Sequence, residues 1–212
     1  FQGMGPYRTK RGEWFARSVV RKSAYISVRD EDSFKRIETW SKSTKVVQTF
    51  DPVFSIMVNK KRGIDTKNVF VIIPRKNSSA IFLKNVYEKL RMTEWEEVRI
   101  VMMEGQDESE RKIASDILSK VGSNVGQALS VQTLDELMDS LKNASLVCAQ
   151  RFHGALAAIA AGIPLEVYPQ GEGDKLSIAA RAAAGGVAGR DVLLSLVKEG
   201  EDALHAWFTA GK

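Results

Sequence analysis

Seven short runs of apolar, mostly β-branched residues recur along the sequence, and most are separated from the next by a stretch with helical spacing. The runs are Ala24 to Val28, Val46 to Phe50, Val69 to Ile73, Val98 to Met102, Ala128 to Val131, Ser145 to Ala149 and Leu165 to Tyr168. The helical patterns are Ser33 to Trp40, Ser79 to Arg91, Ser109 to Val121, Leu134 to Leu141 and Gly154 to Ala161. Apolar runs this short, without polar alternation, suit strands covered on both faces. Strand and helix in turn call for a mostly parallel sheet between helical layers. The sequence therefore predicts an α/β chain: a single three-layer, Rossmann-like domain over residues 1–212. Helices at Lys175 to Ala184, Asp191 to Val197 and Asp202 to Phe208 complete it, with no internal repeat and no low-complexity linker.

Composition removes several function classes. Hydrophobic residues make up 44% and charged residues 27%, a globular balance. The longest apolar candidate, Gly154 to Pro164, is far shorter than the ~20 residues of a membrane span and reads as a buried helix. The one cysteine, Cys148, excludes an internal disulfide. With only His153 and His205 as imidazoles, a zinc site built on cysteine and histidine is excluded and no metal is expected. A reducing, cytoplasmic compartment and no secretory signal are expected. The net charge of +5 lacks the dense one-sided basicity of a dedicated nucleic-acid binder, so no specific nucleic acid is expected. The excess is uneven: Arg8, Lys10, Arg11, Arg17, Arg21 and Lys22 face only Glu13 among the first 24 residues. That bias suits an anionic partner, such as a phosphorylated substrate, a lipid headgroup or nucleic acid, but for most of these side chains a solvated basic helix face is the better reading. Phe1-Gln2-Gly3 matches what a common protease site leaves behind and also runs naturally into Gly3-Met4-Gly5-Pro6; both origins stay open.

In parallel sheets, ligands bind beyond the carboxyl ends of strands, beside helix amino termini. Three junctions qualify. At the third, Arg151 and His153 lie on a strand-to-helix turn before Gly154 and an alanine-rich helix. A helix start attracts anions, and a guanidinium fork matches carboxylate or phosphate. An imidazole exchanges a proton near neutral pH. Gly154 permits close backbone approach, while the alanines let the helix pack tightly. The alternative is that His153 caps the helix or bonds within the turn. At the first junction, Arg29 either binds a ligand anion or pairs with Asp30 or Asp32. Arg75 and Lys76, after the run ending at Ile73, offer a weaker version of the same arrangement. Gly171-Glu172-Gly173-Asp174-Lys175 is a glycine-rich loop leading into a helix, without phosphate-loop spacing, in which Lys175 supplies a further cation. His205, near Trp207 in the last helix, reads as a packing residue.

Several segments, in this order, resemble the polysaccharide pyruvyl transferase family. They are Gln2-Gly3-Met4-Gly5-Pro6, Ser27-Val28-Arg29-Asp30-Glu31-Asp32-Ser33, Asp51-Pro52-Val53-Phe54, and Arg151-Phe152-His153-Gly154 followed by Ala161-Gly162-Ile163-Pro164. Lys175, after Tyr168-Pro169, falls where the family carries a lysine. The resemblance implies the carboxyl-terminal half of a two-domain, GT-B-like enzyme, with its own amino-terminal domain as a partner. It also implies transfer of a pyruvyl group from phosphoenolpyruvate to two hydroxyls of a saccharide or lipid-linked saccharide, for an exopolysaccharide or cell-envelope polymer. By carry-over, Arg29 and Arg151 bind the donor anion, with Gly154 and Lys175 beside them, and His153 supplies the proton. No cofactor is implied, phosphoenolpyruvate being the donor substrate. Peripheral association with the inner face of the membrane fits such an acceptor. The competing readings are a nucleotide-sugar glycosyltransferase domain and a non-catalytic binding or assembly domain of the same fold. Two expectations follow for the structure: Arg29 and Arg151 converge on one cleft at the carboxyl edge of the sheet, and the carboxyl edge carries an apolar patch.

Overall fold

Val69–Ile73 is buried along its whole length, and a strand with no solvent face belongs in the middle of a covered sheet. The computed structural model, which describes residues 7, 9–41, 44–60, 68–121, 124–171 and 174–210, places it there. The elements run α1 (Lys10–Lys22), β1 (Tyr25–Val28), α2 (Glu31–Trp40), β2 (Lys45–Gln48), α3 (Val53–Val58), β3 (Val69–Ile73), α4 (Ala80–Met92) and β4 (Glu97–Met102). They continue with α5 (Glu108–Leu118), β5 (Gly126–Ser130), α6 (Leu134–Ser140), β6 (Ala144–Ala149), α7 (Phe152–Ala160), β7 (Leu165–Val167), α8 (Leu176–Ala184) and α9 (Gly186–Thr209). The chain divides into two compact units, residues 1–55 with 191–212, and residues 56–190.

The second unit is a five-stranded, wholly parallel sheet in the order β5-β4-β3-β6-β7. Counted within the unit this is 3-2-1-4-5, the doubly wound order, in which the chain reverses direction between β3 and β6. Ile72 pairs with Ile100 on one side and Cys148 on the other. Phe70, Ile72, Phe82, Val86, Ile100 and Ile117 form a fully buried cluster with Phe70 stacked on Trp95, ring centroids 4.8 Å apart. Each such side chain contributes about 1.5–3 kcal/mol by leaving water. Ser79, Asp107 and Thr133 cap α4, α5 and α6 with their side-chain oxygens. The Gly162-Ile163-Pro164 step terminates α7 by a Schellman motif: Gly162 takes φ +65°, its N–H donates to the Ile159 carbonyl, and Ile163 N–H donates to Ala158.

The first unit pairs β1 with β2 in parallel across α2, over a core of Val20, Val28, Ile37 and Trp40. The guanidinium of Arg17 sits 5.1 Å above the Trp40 ring and also pairs with Glu13. The remaining basic residues of α1 (Lys10, Arg11, Arg21 and Lys22) are exposed, in line with a solvated basic face. The α/β class and its mostly parallel pairing are as the sequence predicts, but the strands fall into two sheets rather than one. β1 and β2 are paired only with each other among the described residues. The two helices expected at Asp191 to Val197 and Asp202 to Phe208 are one continuous α9, with Gly200 buried inside it. No helix of the described residues is long and apolar enough to cross a membrane. The segments Phe1-Gln2-Gly3 and Gln2 to Pro6, together with Arg8, Glu172 and Gly173, lie outside the described residues.

Candidate functional site

The carboxyl ends of β3 and β6, where the doubly wound order reverses, open into a cavity of about 570 Å³. Its walls come from four strand ends: Arg75 after β3, Glu104 after β4, Arg151 and His153 after β6, and Asp174 and Lys175 after β7. This is the crevice that the topology assigns to ligands, and the arginine and histidine of the third sequence junction line it together.

Arg151 stands at the N-cap of α7 in extended backbone, φ −108° and ψ 130°, and its side chain makes no capping bond. It turns instead to two carboxylates: Nη1 donates to Glu104 Oε1 at 2.8 Å and Nη2 to Glu110 Oε1 at 2.9 Å. Burial works against the guanidinium charge, but the hydrogen bonds to Glu104 and Glu110 outweigh it and hold the group protonated more firmly than usual. Its Nε is buried and has no hydrogen-bond partner among the described residues. Glu104 is held below the usual carboxylate range, first by the Arg151 hydrogen bond and then by its charge, with Lys76 and Arg75 adding to the effect. The amino-terminal, electropositive end of α7 faces the same cavity.

His153 is exposed on the cavity wall at the second position of α7, against the Phe152 ring at 5.6 Å. Lys175 is half-buried and precedes α8. Asp174 ties that loop down by accepting from Gln170 N–H and Leu176 N–H. Arg75 donates to the Gln170 side chain at 3.2 Å. Gln150, almost fully buried, links the Ser79 cap of α4 to the Tyr168 carbonyl and so sets the floor between β3, β6 and β7.

Gly154 is buried and does not line the cavity. A Cβ there would stand 2.7 Å from Ile73 Cδ1, so the glycine is required by the packing of α7 on β3 rather than by approach to a ligand. Arg29 follows β1, a strand of the other sheet, in the first unit, so the two arginines do not extend from one sheet edge as the sequence led us to expect. Arg29 Nη1 donates to Asp51 Oδ2 at 2.9 Å; the acid is neither Asp30 nor Asp32. Asp30 is the N-cap of α2, accepting from Ser33 N–H. The Ser-Val-Arg-Asp and Asp-Pro-Val-Phe segments are thus joined by an ion pair. His205 is exposed on α9, and the packing residue beside it is Trp207, against Tyr25 at 5.6 Å. Sequence reasoning missed Glu104 and Glu110, and it read Asp51 as part of the Asp-Pro-Val-Phe segment without its pairing to Arg29.

The model of the family described as polysaccharide pyruvyl transferase matches residues 2–165. The chain belongs to that family. No curated protein matches the sequence. Among solved structures, the crystal structure of TarM is similar at a TM-score of 0.53 and 14% identity. The likeness covers 98% of this chain and 48% of that one, so the chain spans about half the length of the structure it matches. At this identity the likeness bears on the fold alone, and the fold is GT-B-like. The Arg-x-His-Gly segment of the pyruvyl transferase family is here the turn from β6 into α7, on the wall of the switch-point cavity.

Proposed function

We propose that this chain carries the donor site of an enzyme transferring a pyruvyl group from phosphoenolpyruvate to a saccharide or lipid-linked saccharide, giving a cyclic pyruvate ketal. Family membership supports this reading. The observation that carries it is the joint placement of Arg151, His153, Lys175 and Arg75 around one cavity at the strand ends. Phosphoenolpyruvate brings a carboxylate and a phosphate, and both kinds of anion match a guanidinium fork, an ammonium and the start of a helix.

The chemistry balances without a redox partner. A proton from the His153 imidazolium adds to the methylene carbon of the donor, whose π electrons form the new C–H bond. The adjacent carbon becomes an oxocarbenium-like centre. One sugar hydroxyl adds to it, forming a C–O bond and returning its proton to the His153 imidazole. A second hydroxyl then forms the other C–O bond as the C–O bond to phosphate breaks; phosphate leaves with the electron pair and takes up that hydroxyl's proton. Arg151 and Lys175 bind the donor's acid groups and stabilise the departing phosphate. Acceptor contacts from a further domain, a cell-envelope product and work at the inner membrane face belong to the same proposal.

Calorimetric titration of the chain with phosphoenolpyruvate and with a panel of nucleotide sugars tests the reading. Saturable phosphoenolpyruvate binding that is lost in Arg151→Ala is the expected result. Binding of a nucleotide sugar with no response to phosphoenolpyruvate overturns it.

A further inference from the structure

The two carboxylates on Arg151 differ in every physical respect that governs exchange. Glu110 is fully buried, and both its oxygens are committed: Oε1 accepts from Arg151 and Oε2 accepts the backbone N–H of Glu104 at 2.6 Å. It sits in the first turn of α5, where Asp107 also caps its own backbone N–H. Stripping such a carboxylate of its cation leaves a buried, uncompensated charge, which is strongly unfavourable. Glu104 is close to half exposed, with a side-chain accessibility of 46% against 0% for Glu110. Of the two, Glu104 alone lines the cavity. It also has somewhere else to go, because its Oε2 lies 3.9 Å from the Lys76 ammonium.

The edge of Arg151 that carries Nη1 is therefore filled by a carboxylate of the protein itself. A ligand acid group arriving at that edge competes with it, since two carboxylates crowded onto one guanidinium nitrogen repel each other. We propose that Glu110 is the positioning residue that fixes Arg151, and that Glu104 is an exchangeable internal anion, displaced from Arg151 by the donor's acid group, whose presence lowers the affinity of the site. This rests on reading the cavity as the donor site and adds to it two residues with opposite effects. Replacing Glu104 strengthens anion binding by removing the competitor. Replacing Glu110 weakens it by loosening the arginine.

The test measures binding of inorganic phosphate and of phosphoenolpyruvate, separately and by calorimetry, to the 212-residue chain and to its Glu104→Gln and Glu110→Gln variants. A half-exposed ion pair is worth at most about 1 kcal/mol, so Glu104→Gln is expected to lower the Kd for phosphate about two- to fivefold. Glu110→Gln is expected to raise it about tenfold or more, because misplacing a binding group is costly. Glu104→Gln changes an exposed side chain and leaves folding intact, so its result stands even if Glu110→Gln melts early. Unchanged or weaker phosphate binding in Glu104→Gln overturns the proposal, as does a site that binds phosphate in none of the three proteins. Phosphate behaving as expected while phosphoenolpyruvate binds no tighter than phosphate sinks the pyruvyl-donor reading alone and leaves the internal anion standing.

Discussion

His153 stands two positions beyond Arg151, exposed on the same cavity wall, so its removal should affect turnover and not the fold. His153→Gln is expected to lower turnover ~10²–10⁴-fold, the range for a general acid, while donor affinity and melting temperature stay close to their starting values. Phosphate release by the ketal-forming enzyme, alongside a thermal melt, measures this; near-normal turnover removes His153 from proton transfer. Cys148 gives a contrasting residue-scale expectation. Its thiol is fully buried on β6 and pushed up to about 12, first by burial and then by Glu166 nearby. The native protein should resist iodoacetamide at pH 8 and react only once unfolded. Arg151 and His153 are legible in the sequence because a strand pattern and a helix pattern bracket them, which fixes the turn on which they lie. Glu110 is not. It sits in an acidic stretch, Glu104 to Glu110, that reads as a solvated helix start. The one usable signal is its place on the buried stripe of α5, with Ala114 and Ile117 at helical spacing after it.

The glycines of the Arg-x-His-Gly and Gly-apolar-Pro segments, Gly154 and Gly162, lie near opposite ends of α7 and are required for different reasons. At Gly154 the obstacle is a neighbour, since a Cβ meets the buried Ile73 side chain. At Gly162 a Cβ would meet nothing within 4 Å, and the obstacle is the backbone, at φ +65°. Gly154→Ala should therefore cost ~1–3 kcal/mol by overpacking, and Gly162→Ala ~1–2 kcal/mol by left-handed strain. A double-mutant comparison by urea denaturation separates the mechanisms. Ile73→Val removes the nearest clashing atom, so it should recover part of the loss in Gly154→Ala and none in Gly162→Ala. Equal behaviour of the two glycines toward Ile73→Val contradicts this account. At this scale the central strand is plain from sequence, since β3 has the bounds expected from its five buried residues. The long last helix reads as two because Gly200 carries a propensity cost of about 1 kcal/mol. Its burial shows that packing overrides that cost. The division into two sheets is illegible for another reason: apolar periodicity identifies strands without saying which strands pair.

Across the molecule, the ionisable groups predict a stability profile with two differently caused arms. On the acid side, Glu104 is held low by Arg151, and Glu136 by the backbone N–H groups of Gln132 and Thr133. For Glu166, burial pushes upward but is outweighed by hydrogen bonds from Lys89 and Tyr168. A carboxylate whose folded value lies below the ordinary 4.5 contributes stability that is complete above that value and is lost as pH falls through the folded one. On the alkaline side the sign reverses. The Cys148 thiol rises from 9.0 to about 12, so the unfolded chain ionises first, and stability is lost as pH climbs between those values. The Tyr168 hydroxyl, raised first by burial and next by its 2.6 Å bond to Glu166, adds to that arm from the same network. The melting temperature should thus be level between about pH 5 and 8.5, and fall on both sides. Cys148→Ala and Glu166→Gln test the assignment. Cys148→Ala should flatten the alkaline arm and leave most of the acid arm in place. Glu166→Gln should lower the plateau and shrink both arms, because Glu166 is itself held low and also raises Cys148 and Tyr168, so that its curve approaches the parent curve as pH falls. An alkaline arm that persists unchanged in Cys148→Ala would show that the buried thiol is not what the unfolded chain gains by ionising.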